Sequence, residues 1–189
     1  QAQDNPDFEL ADNGVTVLCP DADVGDTGDV NGTTYTKRDR AGLDALRFDA
    51  DENNPDLATT CTSGIQDMSS MFEEARDFNQ DIGSWDVSSV VATSRMFDRA
   101  RAFNQDIGGW DVSSVASMRH MFRHADAFNQ DIGDWDVSSV TDMRDMFEFA
   151  QSFNEDLSGW DVSEAETTDM FREAIAFDPA HAPGGVEIP

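Results

Sequence analysis

Apolar residues recur along this chain on two rhythms, one nested in the other. The long rhythm is 25 residues: Trp85, Trp110, Trp135 and Trp160 are evenly spaced, as are Phe78, Phe103, Phe128 and Phe153. Around them FNQDIGSWDVSSV, starting at Phe78, returns as FNQDIGGWDVSSV from Phe103 and FNQDIGDWDVSSV from Phe128, then fades to FNEDLSGWDVSEA from Phe153. A second block, MFEEARDF, MFDRARAF, MFRHADAF, MFEFAQSF and MFREAIAF, starts at Met71, Met96, Met121, Met146 and Met170. Such a period marks a stacked repeat, in which each unit lends its apolar side to one continuous interior.

Within a unit the short rhythm changes. Val140, Met143, Met146, Phe147 and Ala150 fall at helical spacings, which predicts a short helix capped by Ser138 or Ser139 with Asp142 in its first turn. After Phe153 the chain is expected to turn at Asn154 and run extended around Asp156-Leu157. Ala75, Ala100, Ala125, Ala150 and Ala174 are small enough to let successive units approach closely. Roughly eight buried apolar side chains per unit, at about 1.5 to 3 kcal/mol each, only narrowly offset the entropy of ordering the chain, so a lone unit is not expected to fold. Parallel pairing of the extended segments would set equivalent residues about 4.8 Å apart. In the resulting ladder of Asn79, Asn104, Asn129 and Asn154, side chains are expected to satisfy backbone groups and pass hydrogen bonds between units.

The head does not repeat. Residues 1–12 are polar and expected to be flexible, 13–64 form a capping region, 65–178 the repeats, about four to five in number, and 179–189 a tail. In the cap, Gly14 to Cys19 reads as a strand, Thr33 to Thr36 as a second strand pairing back on it, and Lys37 to Phe48 as an amphipathic helix. Cys19 and Cys61 are the only cysteines; bracketing a small cap, they point to a disulfide and an oxidising, extracellular setting, with two buried thiols as the alternative.

Charge narrows the partners. With 39 acidic and 12 basic residues the formal net charge is -27, which repels nucleic acid and anionic lipid and favours divalent cations or basic protein surfaces. The plainer reading is solubility in salty surroundings, where repulsion is screened within about 10 Å. No run of 18 apolar residues is present, so no membrane span is expected. Nothing resembling a secretory signal precedes Gln1, and without an initiator methionine the chain reads as an excised fragment.

Candidate chemistry is mostly acidic. Asp21, Asp23, Asp26 and Asp29 lie in a Gly-rich loop as candidate calcium ligands, although their register departs from an EF-hand and a turn held by Asx hydrogen bonds explains them equally. The loop from Asp49 to Asp56 is a further calcium candidate. Stacked pairs, Gln80 with Asp81, Gln105 with Asp106, Gln130 with Asp131 and Glu155 with Asp156, form a strip that could bind calcium or a basic partner. Asp86, Asp111, Asp136 and Asp161 are expected to accept backbone N–H bonds in a turn instead. His120 and His124, four apart, could share a helical face with a metal; Glu, Arg and Phe at the equivalents of His124 point to a variable exposed position. No Ser-His-Asp, HExxH or glycine-rich phosphate motif is present, and near-identical units do not supply the unlike groups that catalysis needs, so no enzyme is expected.

The repeat resembles that of BspA-like bacterial surface proteins, a leucine-rich-repeat type whose 25–26-residue unit looks like VTDMSGMFSGASSFNQDISGWDVSSV. VTDMRDMFEFAQSFNEDLSGWDV, Val140 to Val162, is similar, and the resemblance runs from Ile65 to about Phe177. It implies an α/β fold: a leucine-rich-repeat-like right-handed solenoid with short parallel strands and short helices behind an N-terminal cap. It also implies a non-catalytic extracellular ligand-binding or adhesion module within a larger surface protein, meeting a protein, peptide or glycan. A structural spacer, or a module that forms a homodimer when calcium neutralises its acidic strip, is the alternative. Two departures stand out: Thr93 replaces the Met of other units, and the last unit loses one residue between Trp160 and Met170.

Overall fold

The computed structural model of the chain describes residues 5–48 and 54–188. Its regular secondary structure is concentrated in the head. Strand β1 (Glu9–Leu10) pairs antiparallel with β2 (Val17–Leu18), Glu9 opposite Leu18. Strands β3 (Thr27–Val30) and β4 (Thr33–Lys37) form a hairpin whose two-residue turn, Asn31-Gly32, is left-handed at both positions (φ 53° and 81°), as tight hairpins favour. Strand β5 (Thr60–Cys61) adds parallel to β4. The strand expected over Thr33 to Thr36 therefore pairs with β3, inside the Asp-rich stretch, and not with β2. Within residues 1–12, Phe8 is buried against Gly28, where a Cβ would lie 2.5 Å from the ring. Helix α1 (Arg40–Phe48) carries Leu43 into the interior.

From Ile65 to Phe177 the described residues hold neither a helix nor a strand, which overturns the expected leucine-rich-repeat solenoid of short helices and parallel strands. Each 25-residue unit is a layer built of turns. Neighbouring layers share a single parallel bridge, in the series Asp67, Ala92, Ser117, Asp142 and Glu166. The reason lies in the backbone. Met71, Glu73 and Ala75 donate their N–H groups three residues back, to Met68, Ser70 and Phe72, closing successive turns. Met68, Ser70, Phe72 and Glu74 instead donate along the stack, to Ala92, Ser94, Met96 and Asp98 of the next layer. Half of the amides a helix would use internally are thus spent between layers. Ser70 and Glu74 sit in the left-handed region (φ 56° and 62°), and so do their equivalents in every later layer. A run of three-residue turns sets apolar side chains on one side at nearly the helical period, which is why the spacing imitates a helix.

The interior is a spine of aromatic rings. Phe72, Phe97, Phe122, Phe147 and Phe171 stack from layer to layer at 5.4–5.6 Å between centroids, and within layers each meets its partner, as Phe97 meets Phe103 at 4.0 Å. The tryptophans are buried; Trp85 donates its indole N–H to Leu57 O of the head at 2.9 Å, and the others donate one layer back, Trp110 to Ile82 O at 3.3 Å and Trp135 to Ile107 O at 3.2 Å. Thr93 keeps its place in the core by donating its hydroxyl to Ser117 O at 3.3 Å. In the shortened last layer Glu166 does two residues' work, donating to Thr141 O while accepting from Met143 N.

Candidate functional site

Both acidic ladders are committed to their own backbone. Asp81, Asp106, Asp131 and Asp156 each accept, through Oδ1, the N–H two residues on, at 2.9–3.1 Å. Asp86, Asp111, Asp136 and Asp161 do the same for Ser88, Ser113, Ser138 and Ser163, all at 3.1 Å. The Ser138 and Ser163 side chains, helped by these backbone bonds, hold the carboxyls of Asp136 and Asp161 below the ordinary carboxylate range, and the Ser158 backbone N–H does the same for Asp156. Gly83, Gly108 and Gly133 bring each layer against the next: a Cβ there would meet the following Asp carbonyl at 2.6–2.8 Å. The neighbouring amides are occupied too, Gln105 and Gln130 donating to Asn79 Oδ1 and Asn104 Oδ1 at 3.0 and 2.8 Å. Asn79, Asn104 and Asn129 each accept the N–H of the Asn one layer on, and Asn154 that of Asp178, at 2.7–2.9 Å. In the candidate strip Asp81, Asp106, Asp131 and Asp156 are exposed, while Gln80, Gln105, Gln130 and Glu155 are half-buried.

The Asp-rich loop does not converge. Asp23 and Asp26 brace each other through backbone N–H bonds, and Asp29 accepts from the Thr34 hydroxyl within the hairpin. Asp21 stands exposed at the start of the loop. Among the described residues no three His, Cys, Asp or Glu side chains are placed to hold a metal ion. Of the Asp49 to Asp56 loop, residues 49–53 lie outside those described. Cys19 and Cys61 are joined by a disulfide, with Cα atoms 6.3 Å apart, tying the end of β2 to β5.

The opposite face, made of the turns, carries unlike charges that interlock. Arg123 donates both Nε and Nη2 to the fully buried Asp98 one layer below, at 3.0 and 2.6 Å. His120 Nε2 lies 3.0 Å from Asp145 one layer above, and Arg172 pairs with the buried Glu148. Burial holds the His120 imidazole below its ordinary value, Arg123 adding to the effect against the opposing bond to Asp145. His124 is lowered for the same first reason, and its ring stacks on Phe149 at 4.6 Å. The two histidines lie on consecutive turns, not on a helix, and each faces the next layer.

The two ends of the stack differ. At the first layer the carbonyls that would face a preceding layer are met by α1: Arg40 Nη1 donates to Asp67 O and Ser69 O at 3.1 and 3.0 Å, and Arg47 Nη2 to Glu73 O at 2.7 Å. These two guanidiniums, two helical turns apart, replace the N–H groups of a missing layer. At the last layer the lengthwise donors are Thr167, Asp169, Phe171 and Glu173, and none of the four has an acceptor among the described residues. The tail meets the last layer on two sides: Leu157 donates to His181 O at 2.9 Å, and Val186 and Ile188 pack against the core. The capping helix at the first end was legible as a basic amphipathic stretch in an acidic chain, but not the pairing of Arg40 and Arg47 with particular carbonyls. A cavity of about 710 Å³ where the head meets the first layer holds Lys37, Arg38 and Arg40, but Lys37 Nζ already donates to Cys19 O at 2.6 Å.

The model of the family described as "Mycoplasma protein of unknown function, DUF285" matches residues 43–135 and 107–181, which together span most of the chain. No curated protein and no solved structure matches. This finding replaces the BspA-like leucine-rich-repeat assignment, and with it the ligand-binding or adhesion role that the assignment implied. The chain belongs to this family.

Proposed function

We propose that this member of the family is a small non-catalytic domain of an extracytoplasmic protein, and that it works by contact with another protein. One observation carries the reading: the repeated polar groups are spent on the domain's own backbone. Asp81 through Asp156, Asp86 through Asp161 and the Asn ladder all accept N–H groups of their own chain. What remains outward is a pre-organised, strongly acidic surface, which favours a basic protein over a nucleic acid or an anionic membrane. No helix among the described residues is long and apolar enough to cross a membrane. The disulfide supports an oxidising compartment.

Carboxyl footprinting of the chain in its native extract and after purification tests the contact. The expected result is a set of surface carboxylates labelled only after purification. Identical labelling in both would remove the protein-contact reading. Alkylation without reductant should leave Cys19 and Cys61 unmodified, and their modification would place the domain in a reducing compartment.

A further inference from the structure

We propose that the cavity between the head and the first layer is a binding site for a carboxylate carried on a small apolar body, a role apart from the protein contact above. The fold's own rule leaves a donor there. Along one column of the stack each N–H points back to the layer before: Val91, Ala116, Thr141 and Glu166 donate to Gln66, Val91, Ala116 and Thr141, at 2.8–3.0 Å. Gln66 heads that column and has no layer before it. The head supplies donors at this end, Arg40 and Arg47, and these meet carbonyls. It supplies no acceptor for the Gln66 N–H among the described residues. Gln66 is exposed, and it lines the cavity of about 710 Å³.

Arg38 lines the same cavity, half-buried, and its guanidinium has no ion pair or hydrogen bond among the described residues. Its neighbours are spent. Lys37 Nζ donates to Cys19 O and Pro20 O at 2.6 and 3.4 Å, and Arg40 Nε donates to Asp44 at 3.0 Å. The carboxylates on the lining are spent as well, Asp39 on the Gly42 N–H, Asp44 on Arg40 and Asp67 on the Ser69 N–H. Three cations thus stand against three carboxylates here, in a chain whose net charge is -27. What the hollow still asks for is an acceptor, because both unmet groups are donors and one of them is charged. A carboxylate answers both: its two oxygens match the planar guanidinium fork and keep lone pairs for a backbone N–H. Val24, 60% exposed, and Ile65 give the hollow an apolar wall, so the body behind the carboxylate is apolar. The volume falls within the range of small-molecule sites, about 300–1,000 Å³.

The probe is isovalerate, with the neutral isovaleramide as control, and the readout is amide and guanidinium NMR on the whole chain. Isovalerate should shift the Gln66 amide and the Arg38 Nε–H saturably, and isovaleramide should shift neither. Arg38→Gln should weaken isovalerate binding by about tenfold or more, the size of a lost charge-assisted contact. Arg76→Gln, which removes an exposed arginine outside the cavity, should leave binding unchanged. N-acetylvaline carries the same group as the end of a peptide: tighter binding than isovalerate would assign the site to a peptide C-terminus, weaker binding to a free acid. Shifts absent at both groups, or equal for acid and amide, would overturn the proposal. So would unaltered binding in an Arg38→Gln chain whose melting curve shows it folded. The titration of the parent chain decides the matter should that variant fail to fold.

Discussion

The two faces of the stack are built from opposite kinds of sequence. On the face of Asn79, Asn104, Asn129 and Asn154 every layer says the same thing, and every layer makes the same bonds at nearly the same distances. On the turn face the equivalents of Asp98 are Glu73, Arg123, Glu148 and Arg172, and each contact is particular to its pair of layers. The uniform face supplies cohesion but cannot tell one layer from another, since any unit fits on any other. The turn face differs from step to step: Asp98 accepts Arg123 and Glu148 accepts Arg172, each a contact that the other pairs of layers do not repeat. Buried or half-buried pairs of this kind add little net stability, yet breaking one strands a buried charge. Cohesion and order are therefore carried by different side chains.

The interior that both faces share should give the largest effect. Trp110→Ala opens a cavity between two folded layers and removes the bond to Ile82 O, with an expected cost of about 3 to 5 kcal/mol in denaturant unfolding. Trp160→Ala, at the frayable end, should cost less. Equal losses would show the last layer to be as tightly held as the centre.

On the uniform face, Asn104→Ala removes the acceptor for Asn129 N–H and Gln130 Nε2 and should cost about 1 kcal/mol. The sharper expectation is sameness: Asn79→Ala should cost as much to within about 0.5 kcal/mol, since Asn79 Oδ1 likewise accepts Asn104 N–H and Gln105 Nε2. Clearly unequal costs would erase the contrast between the faces.

The turn face should be the one that senses acid near neutrality. His120 is buried among Asp145, Arg123 and Arg119, and its folded value is lowered, so the unfolded chain binds more protons than the folded one in between. Its contribution is complete above the unfolded value of about 6.5 and is lost as pH falls through the folded one. His120→Gln should therefore lessen the fall in Tm between about pH 7.5 and pH 5.5 relative to the parent. An unchanged slope would show that the folded histidine titrates as the free residue does.

The smallest effect should come from relieving a turn. Arg95 is exposed and left-handed (φ 57°). Relief of about 1–2 kcal/mol against glycine's entropic cost of about 0.5–1 kcal/mol gives Arg95→Gly a net gain of about 0.5 kcal/mol, read as a raised Tm.

The unit length, the interior and the capping helix were legible in the sequence because burial leaves a period: Met, Phe, Ala, Phe, Ile, Trp and Val recur where the interior needs them. The Asn ladder was legible because a polar residue repeated without change must satisfy a repeated need. Secondary structure within the unit was not. Turns three residues long place Met143, Met146, Phe147 and Ala150 at the spacing of a helix, and the left-handed residues that forbid one are Arg, His, Asp, Glu, Ser and Phe, not the glycines that would have betrayed them. The ends were hidden for another reason: Arg40 and Arg47 read as surface charge until the carbonyls of Asp67, Ser69 and Glu73 are seen beneath them. Asp21, Asp23, Asp26 and Asp29 lie close along the chain, and their hydrogen bonds within the turn and hairpin were not legible from that spacing.

That order among layers resides in particular ion pairs is tested most directly by a double-mutant cycle on Asp98 and Arg123. Asp98→Asn, Arg123→Gln and the double variant should give a coupling of at least about 1.5 kcal/mol, because either single change leaves a charge buried without its partner. Additive losses, within about 0.5 kcal/mol, would mean that the pair is incidental to the stack and that the turn face orders nothing.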